Sequence, residues 1–154
     1  MTGIASRIST TRCPATLGLT DGSTVRGVLF LHPDPTRPDG VMTVLKLLEG
    51  PRDFIAFELD AGQSLLVSRL SVRTIELDAT APGADAESDP SASLDVVTLH
   101  LDSGQEISGV LRAVAEEGFQ RMSDVFNAAG RFIPILVGSR LVLVARSRIV
   151  KVTF

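Results

Sequence analysis

The sequence predicts a mainly β chain: two tandem five-stranded small barrels, each with one short helix, joined by a flexible acidic linker. Three observations predict it. One unit of the chain occurs twice, each copy alternates apolar and polar residues with a period of two, and a stretch without any basic residue separates the copies.

The separating stretch is residues 78–95, DATAPGADAESDPSASLD. It carries Asp78, Asp85, Glu87, Asp89 and Asp95, and its only large apolar residue is Leu94. Ala, Pro, Ser and Asp bury too little surface to offset the entropy of ordering a chain, so the segment reads as a spacer. This divides the chain into a first barrel at residues 1–77 and a second at residues 96–154.

The repeat is visible without gaps. Residues 15–29, ATLGLTDGSTVRGVL, match residues 97–111, VTLHLDSGQEISGVL, at seven of fifteen positions, among them Leu17/Leu99, Gly22/Gly104 and Gly27/Gly109. Phe54-Ile55-Ala56-Phe57 then matches Phe132-Ile133-Pro134-Ile135, and Leu66-Val67-Ser68-Arg69 matches Leu143-Val144-Ala145-Arg146. Val72, Ile75 and Leu77 fall opposite Ile149, Val152 and Phe154.

Within each copy the elements follow in order. Leu17 and Leu19, like Val97, Leu99 and Leu101, alternate with polar or small residues, the pattern of a half-buried strand. Asp21-Gly22 and Ser103-Gly104 supply the tight turn that follows. A second strand runs from Val25 to Leu31 and from Ile107 to Val114. Gly27 and Gly109 lie inside it, where glycine marks a bend or bulge. The period then changes. Val41, Val44, Leu47 and Leu48, and equally Phe119, Met122, Val125 and Phe126, are spaced for one face of a short helix. Asp39 is the expected N-cap of the first helix and Gly50-Pro51 its stop, while Gly130 closes the second. Strands return at Phe54–Leu59 and Phe132–Val137, then at Leu65–Ser68 and Leu141–Ala145. The last strands are Val72–Leu77 and Ile149–Phe154. Five short strands with tight turns describe a small barrel.

Composition excludes several classes. The chain of 154 residues is 44% apolar and 21% charged, with a net charge of −3, so it is neither a disordered polymer nor a strongly basic one. Partitioned, residues 1–77 hold eight basic and eight acidic groups. Residues 96–154 hold seven basic and five acidic groups, so the acidic spacer masks a slightly basic second copy. Cys13 is the only cysteine, which excludes an internal disulfide and a multi-cysteine metal site; it reads as a small apolar residue near a strand start. The longest apolar runs, Phe132–Val137 and Leu141–Ala145, are far short of a membrane span, and the first residues lack the apolar core of a signal peptide. A cytoplasmic protein with no membrane partner is the expectation.

The block hydrophobic-x-Leu-x-x-Gly-x-x-x-x-Gly-x-Leu, carried by Leu17–Leu29 and Leu99–Leu111, resembles the first signature of Sm-like (Hfq-like) proteins. The closing blocks Leu66–Val72 and Leu143–Ile149 are similar to the second signature, a strand that runs into a basic turn and a final strand. Arg121-Met122-Ser123-Asp124-Val125-Phe126-Asn127 followed by Phe132–Ile135 resembles a small bacterial family of Sm-like proteins. The resemblance implies an SH3-like barrel in each copy, association through edge strands, and RNA contact at the basic turns. Arg69 and Arg146 match those turns, and Arg148 lies beside Arg146. The Asp-x-x-Met-Asn motif of Sm-like RNA pockets is in neither copy. His32-Pro33-Asp34 stands there in the first and Ala115-Glu116-Glu117-Gly118 in the second.

No catalytic, cofactor or metal constellation assembles from the sequence. His32 and His100 are the only histidines and have no ligand-spaced partners, and Glu116-Glu117 reads as a solvated turn. There is no Trp or Tyr to stack on bases. Arg140, Arg146, Arg148 and Lys151 gather near the last hairpin, either guarding a strand edge or offering a nucleic-acid patch. The reading is a non-catalytic scaffold or regulatory protein that associates with itself or with another protein. RNA binding through Arg69, Arg140, Arg146, Arg148 and Lys151 is the alternative. Gly22, Gly27, Gly104 and Gly109 are the structural turn and bend positions.

Overall fold

The computed structural model describes residues 10–84, 94–112, 122–128 and 130–154. Residues 85–93 of the expected spacer, the end of the second strand of copy two beyond Arg112, and Phe119, Arg121 and Glu116-Glu117 lie outside the described residues, while Leu94 and Asp95, also expected in the spacer, belong to a strand.

The chain order repeats: two strands, a helix, two strands, a one-turn 3₁₀ segment and a last strand. In the first repeat these are β1 (Thr11–Leu19), β2 (Thr24–Leu31), α1 (Val44–Glu49), β3 (Phe54–Leu59), β4 (Ser64–Ser68) and β5 (Val72–Asp78). In the second they are β6 (Leu94–Leu101), β7 (Glu106–Arg112), α2 (Met122–Ala128), β8 (Phe132–Val137), β9 (Arg140–Ala145) and β10 (Ile149–Thr153). The 3₁₀ turns Arg69–Ser71 and Arg146–Arg148 precede β5 and β10.

The strands do not form two separate closed sheets. All ten join one antiparallel sheet in the order β10-β6-β7-β8-β9-β5-β1-β2-β3-β4, and that sheet is open. Each repeat contributes its strands in the same internal order, last-first-second-third-fourth. The junction is β5 against β9, with Thr74 opposite Val144, Ile75 opposite Leu143 and Leu77 opposite Leu141.

The turns follow from local chemistry. Gly22 (φ 88°) and Gly104 (φ 87°) sit in the left-handed region, which a side chain resists. The Asp21 carboxylate accepts the Ser23 backbone N–H at 2.8 Å, while Ser103 Oγ accepts that of Gln105 at 3.3 Å. Gly27 and Gly109 sit where a side chain would crowd the neighbouring strand. A Cβ on Gly27 would fall inside contact distance of the Glu58 carbonyl, and one on Gly109 inside that of Leu136. They let β3 and β8 cross β2 and β7 closely.

The first helix departs from expectation at its start. Thr43, not Asp39, is the N-cap, its hydroxyl accepting the Lys46 N–H at 3.0 Å. Asp39 instead accepts the N–H of Val41 at 3.0 Å and that of Gly83 at 3.0 Å. Residues 79–84, read as spacer, thus fold back on the first repeat: Val44 donates to the Gly83 carbonyl at 2.9 Å and Ala84 is buried. β1 also begins earlier than its alternation shows, and takes in Cys13, which is 1% exposed. Pro14 is tolerated in it because that part of β1 pairs with β2 alone; pairing with β5 starts at Thr16.

Two apolar clusters form. One holds Leu17, Leu29, Val44, Leu48, Phe57, Ile75 and Leu77 of the first repeat, and the other holds Leu99, Ile133, Ile135 and Val144 of the second. The first cluster also takes Phe132, Leu141, Leu143 and Ala145 from the second repeat.

Candidate interaction seam

The feature with the most built-in chemistry is the β5–β9 junction. β9 is buried on both faces. Val142 and Val144 point into their own repeat's cluster, while Leu141, Leu143 and Ala145 point into the other repeat's. Period two along a strand puts alternate residues on opposite faces, so an unbroken apolar run can serve two cores. Polar contacts fix the register. Arg140 Nε donates to Glu76 at 3.0 Å, and the Glu49 carboxylate, at the end of α1, accepts the Phe132 N–H at 3.2 Å. Arg73 of β5 reaches Asp102 of the second repeat at 3.1 Å and the Leu19 carbonyl at 2.8 Å.

The equivalent positions of the other repeat are open. Phe54 corresponds to Phe132 and is 58% exposed; Leu66 corresponds to Leu143 and is 73% exposed. At the opposite end, Phe154 corresponds to Leu77 and is 83% exposed. Leu70 and Val150 are exposed as well.

The basic residues named from the sequence do not form one patch, although Arg69 and Arg146 line a common cleft. Arg69 is buried: it donates from Nη1 to the Gly50 carbonyl and from Nη2 to Asp53 at 3.5 Å, and its Nε has no partner. Arg140 is paired with Glu76, and Arg148 donates to Asp102 at 3.1 Å and to the Leu70 carbonyl at 3.5 Å. Arg146 points back to the end of α2, donating to the carbonyls of Phe126 and Asn127 at 3.4 Å each. Lys151 is exposed on β10. Arg140, the first residue of β9, and Arg146, just past its end, stand roughly 20 Å apart by the rise of a strand.

Two clefts flank the seam. One, of about 290 Å³, is lined by Arg69, Leu70, Arg131, Phe132 and Arg146 among others. The other, of about 310 Å³, brings Arg26 and Arg140 beside Asp60 and Asp78, so its charges balance. His100 lies between Glu106 (3.2 Å) and Thr153 (3.2 Å). Among the described residues no three His, Cys, Asp or Glu side chains gather as metal ligands, and no helix is long and apolar enough to cross a membrane.

The sequence reading missed Phe54, Phe132, Leu66 and Leu143 as interaction residues, although it had aligned them. The signal was there in the contrast of the two copies: Leu141–Ala145 is apolar throughout, while Ser64-Leu65-Leu66-Val67-Ser68 is not. No known protein family, curated protein or solved structure matches the chain.

Proposed function

We propose that this chain is a non-catalytic interaction protein, a scaffold built from two Sm-like repeats that associates with copies of itself. One observation carries the reading: the two repeats meet by strand pairing that completes a core, and the same surfaces remain unpaired at both ends of the sheet. A repeat of this size buries too little surface to be robust alone. Exposed apolar edge strands are otherwise an aggregation hazard that proteins cover or charge. The repeat order and the close crossings at Gly27 and Gly109 support the Sm-like assignment of each unit. Size-exclusion chromatography with light scattering tests the reading. A mass above the 16.4 kDa of one chain is expected. A strict monomer at tens of micromolar overturns it.

RNA binding is a second reading, and the feature that favours it is the cleft where Arg131 and Arg146 stand beside Arg69. It requires purified protein to carry nucleic acid and to lose it steeply with added salt. The ion pairs of Arg140 and Arg148 favour the scaffold instead, since those charges are already engaged.

A further inference from the structure

The two repeats differ by a reversal of charge at one matched place. In the first, the backbone N–H of Arg69 donates to the Asp53 carbonyl at 2.8 Å; in the second, that of Arg146 donates to the Arg131 carbonyl at 2.8 Å. Arg146 is therefore the counterpart of Arg69 in space as well as in sequence, and Arg131 is the counterpart of Asp53. In the first repeat a carboxylate stands at this place, with Asp53 Oδ1 3.5 Å from Arg69 Nη2. In the second, a further cation stands there instead.

Arg146 is left with two long hydrogen bonds, 3.4 Å each, to the carbonyls of Phe126 and Asn127, and pairs with no carboxylate among the described residues. Arg131 is exposed, and its guanidinium has no hydrogen-bond or ion-pair partner among the described residues. Both line the cleft of about 290 Å³ at the seam, and no acidic side chain lines it with them. The other cleft beside the seam is different, since Asp60 and Asp78 there balance Arg26 and Arg140. The remaining walls of the basic cleft include Leu70, Val72, Phe132 and Ala145, and Leu70 is 75% exposed.

We propose that this cleft binds a small organic carboxylate with an apolar body. Its carboxylate takes, between Arg131 and Arg146, the place that Asp53 fills beside Arg69. The planar guanidinium fork matches a carboxylate in a bidentate way, and an anion between two like charges turns their repulsion into attraction. The apolar body lies on the wall that Leu70 leaves open to water, and the volume is that of a small-molecule site. A nucleic acid fits the cleft less well. Phe132 is the one ring on it and is 4% exposed, so a base has no face to stack on, and the nearby Arg148 is already held by Asp102. The cleft lies within one chain, so this inference does not rest on self-association.

Calorimetric titration and thermal melts of the full chain, at constant ionic strength, test it. The probes are benzoate and hexanoate, with benzamide and hexanamide as uncharged controls, inorganic phosphate, and a short RNA. The two carboxylates should bind saturably at a single site per chain and raise the melting temperature, and the amides should not. Arg131→Asp supplies the second repeat with the carboxylate of the first. It should weaken carboxylate binding at least about tenfold, while the unliganded chain melts no lower than the native one because Arg146 gains a partner. Arg131→Gln should weaken binding as well, without adding that partner. Absence of saturable carboxylate binding overturns the proposal, as does binding that is unchanged in both variants or equal for the amides. Tighter binding of phosphate or RNA than of the carboxylates also overturns it, and RNA in that place favours the second reading above. Light scattering on the same samples keeps the tests apart: a monomer that binds benzoate loses the scaffold reading alone, and an oligomer that binds no carboxylate loses this inference alone.

Discussion

Arg73 and Asp102 form an ion pair at 3.1 Å that ties the last strand of the first repeat to the first hairpin of the second. Asp102 takes Arg148 on its other oxygen at 3.1 Å. Partial burial pushes the Asp102 carboxyl up, but the hydrogen bonds and charges of Arg73 and Arg148 outweigh it and leave it below the usual carboxylate range. Asp21, Asp34 and Asp78 are also lowered, chiefly by the hydroxyls of Ser23, Thr36 and Thr80, and Asp39 by the N–H of Gly83. A carboxyl lowered in the folded state stabilises it above the unfolded pKa, and that contribution is lost as pH falls through the folded value. Stability should therefore decline below about pH 4, where free aspartate titrates. Asp102→Asn should lower the urea midpoint at pH 7 and narrow the gap between midpoints at pH 7 and pH 3. An unchanged gap would show that the seam ion pair contributes nothing to the acid response.

The glycines at the strand crossings give a sharper test. Gly109→Val places a Cβ against the Leu136 carbonyl, with Ile135 Cγ2 at 2.6 Å and Val137 Cγ2 at 3.0 Å. Backbone cannot swing aside as a surface side chain can, so β7 and β8 must separate. The expected loss is about 2–4 kcal/mol by chemical denaturation, the range of severe core changes. Gly104→Ala, at a turn where the new methyl meets nothing within 4 Å, should cost less, about 1 kcal/mol from its positive φ alone. Equal losses at the two positions would sink the close-crossing argument.

How much of this was legible in the sequence depends on the range of the interactions. Alternation at Leu17/Leu19 and Leu99/Leu101, and the Asp-Gly and Ser-Gly turns, are local, and the strands and hairpins stand where those signals put them. The helix cap was misplaced because Asp39 and Thr43 are both good caps in isolation; only the fold-back of residues 79–84 gives Asp39 another donor in Gly83. The seam was invisible to periodicity, since Leu143 and Leu66 align as the same residue and differ only in what lies beside them. The two basic turns differ for a similar reason: Arg69 and Arg146 are equivalent in sequence, yet one is buried and the other exposed.

That difference predicts unequal mutational costs. Arg69 is 6% exposed and holds the Gly50 carbonyl at the end of α1 as well as Asp53. Arg69→Ala removes the partner of a carbonyl at a helix terminus and leaves a void, which should cost about 2–4 kcal/mol. Arg146→Ala gives up two long hydrogen bonds from an exposed side chain and should cost under about 1 kcal/mol. Thermal melts of the two variants, compared at one protein concentration, decide the matter. A larger loss at Arg146 than at Arg69 would reverse the assignment of structural and surface roles.

Cys13 offers a probe of the sheet itself. Its thiol is buried in β1, opposite Leu29, and burial pushes its pKa up to about 11. A thiol raised in the folded state favours the protonated form, so this contribution is present below the unfolded pKa and fades as pH rises through the folded one. Stability should drop between about pH 9 and 11, and Cys13→Ala should flatten that part of the profile. Labelling follows from the same burial. The thiolate is the reactive form and β1 is paired along its length with β2, so a disulfide reagent at pH 8 must wait for the strand to open. The native chain should react at least about a hundredfold more slowly than the urea-unfolded chain, a ratio that corresponds to nearly 3 kcal/mol of opening. Modification within seconds in native buffer would mean that the β1–β2 pairing opens freely.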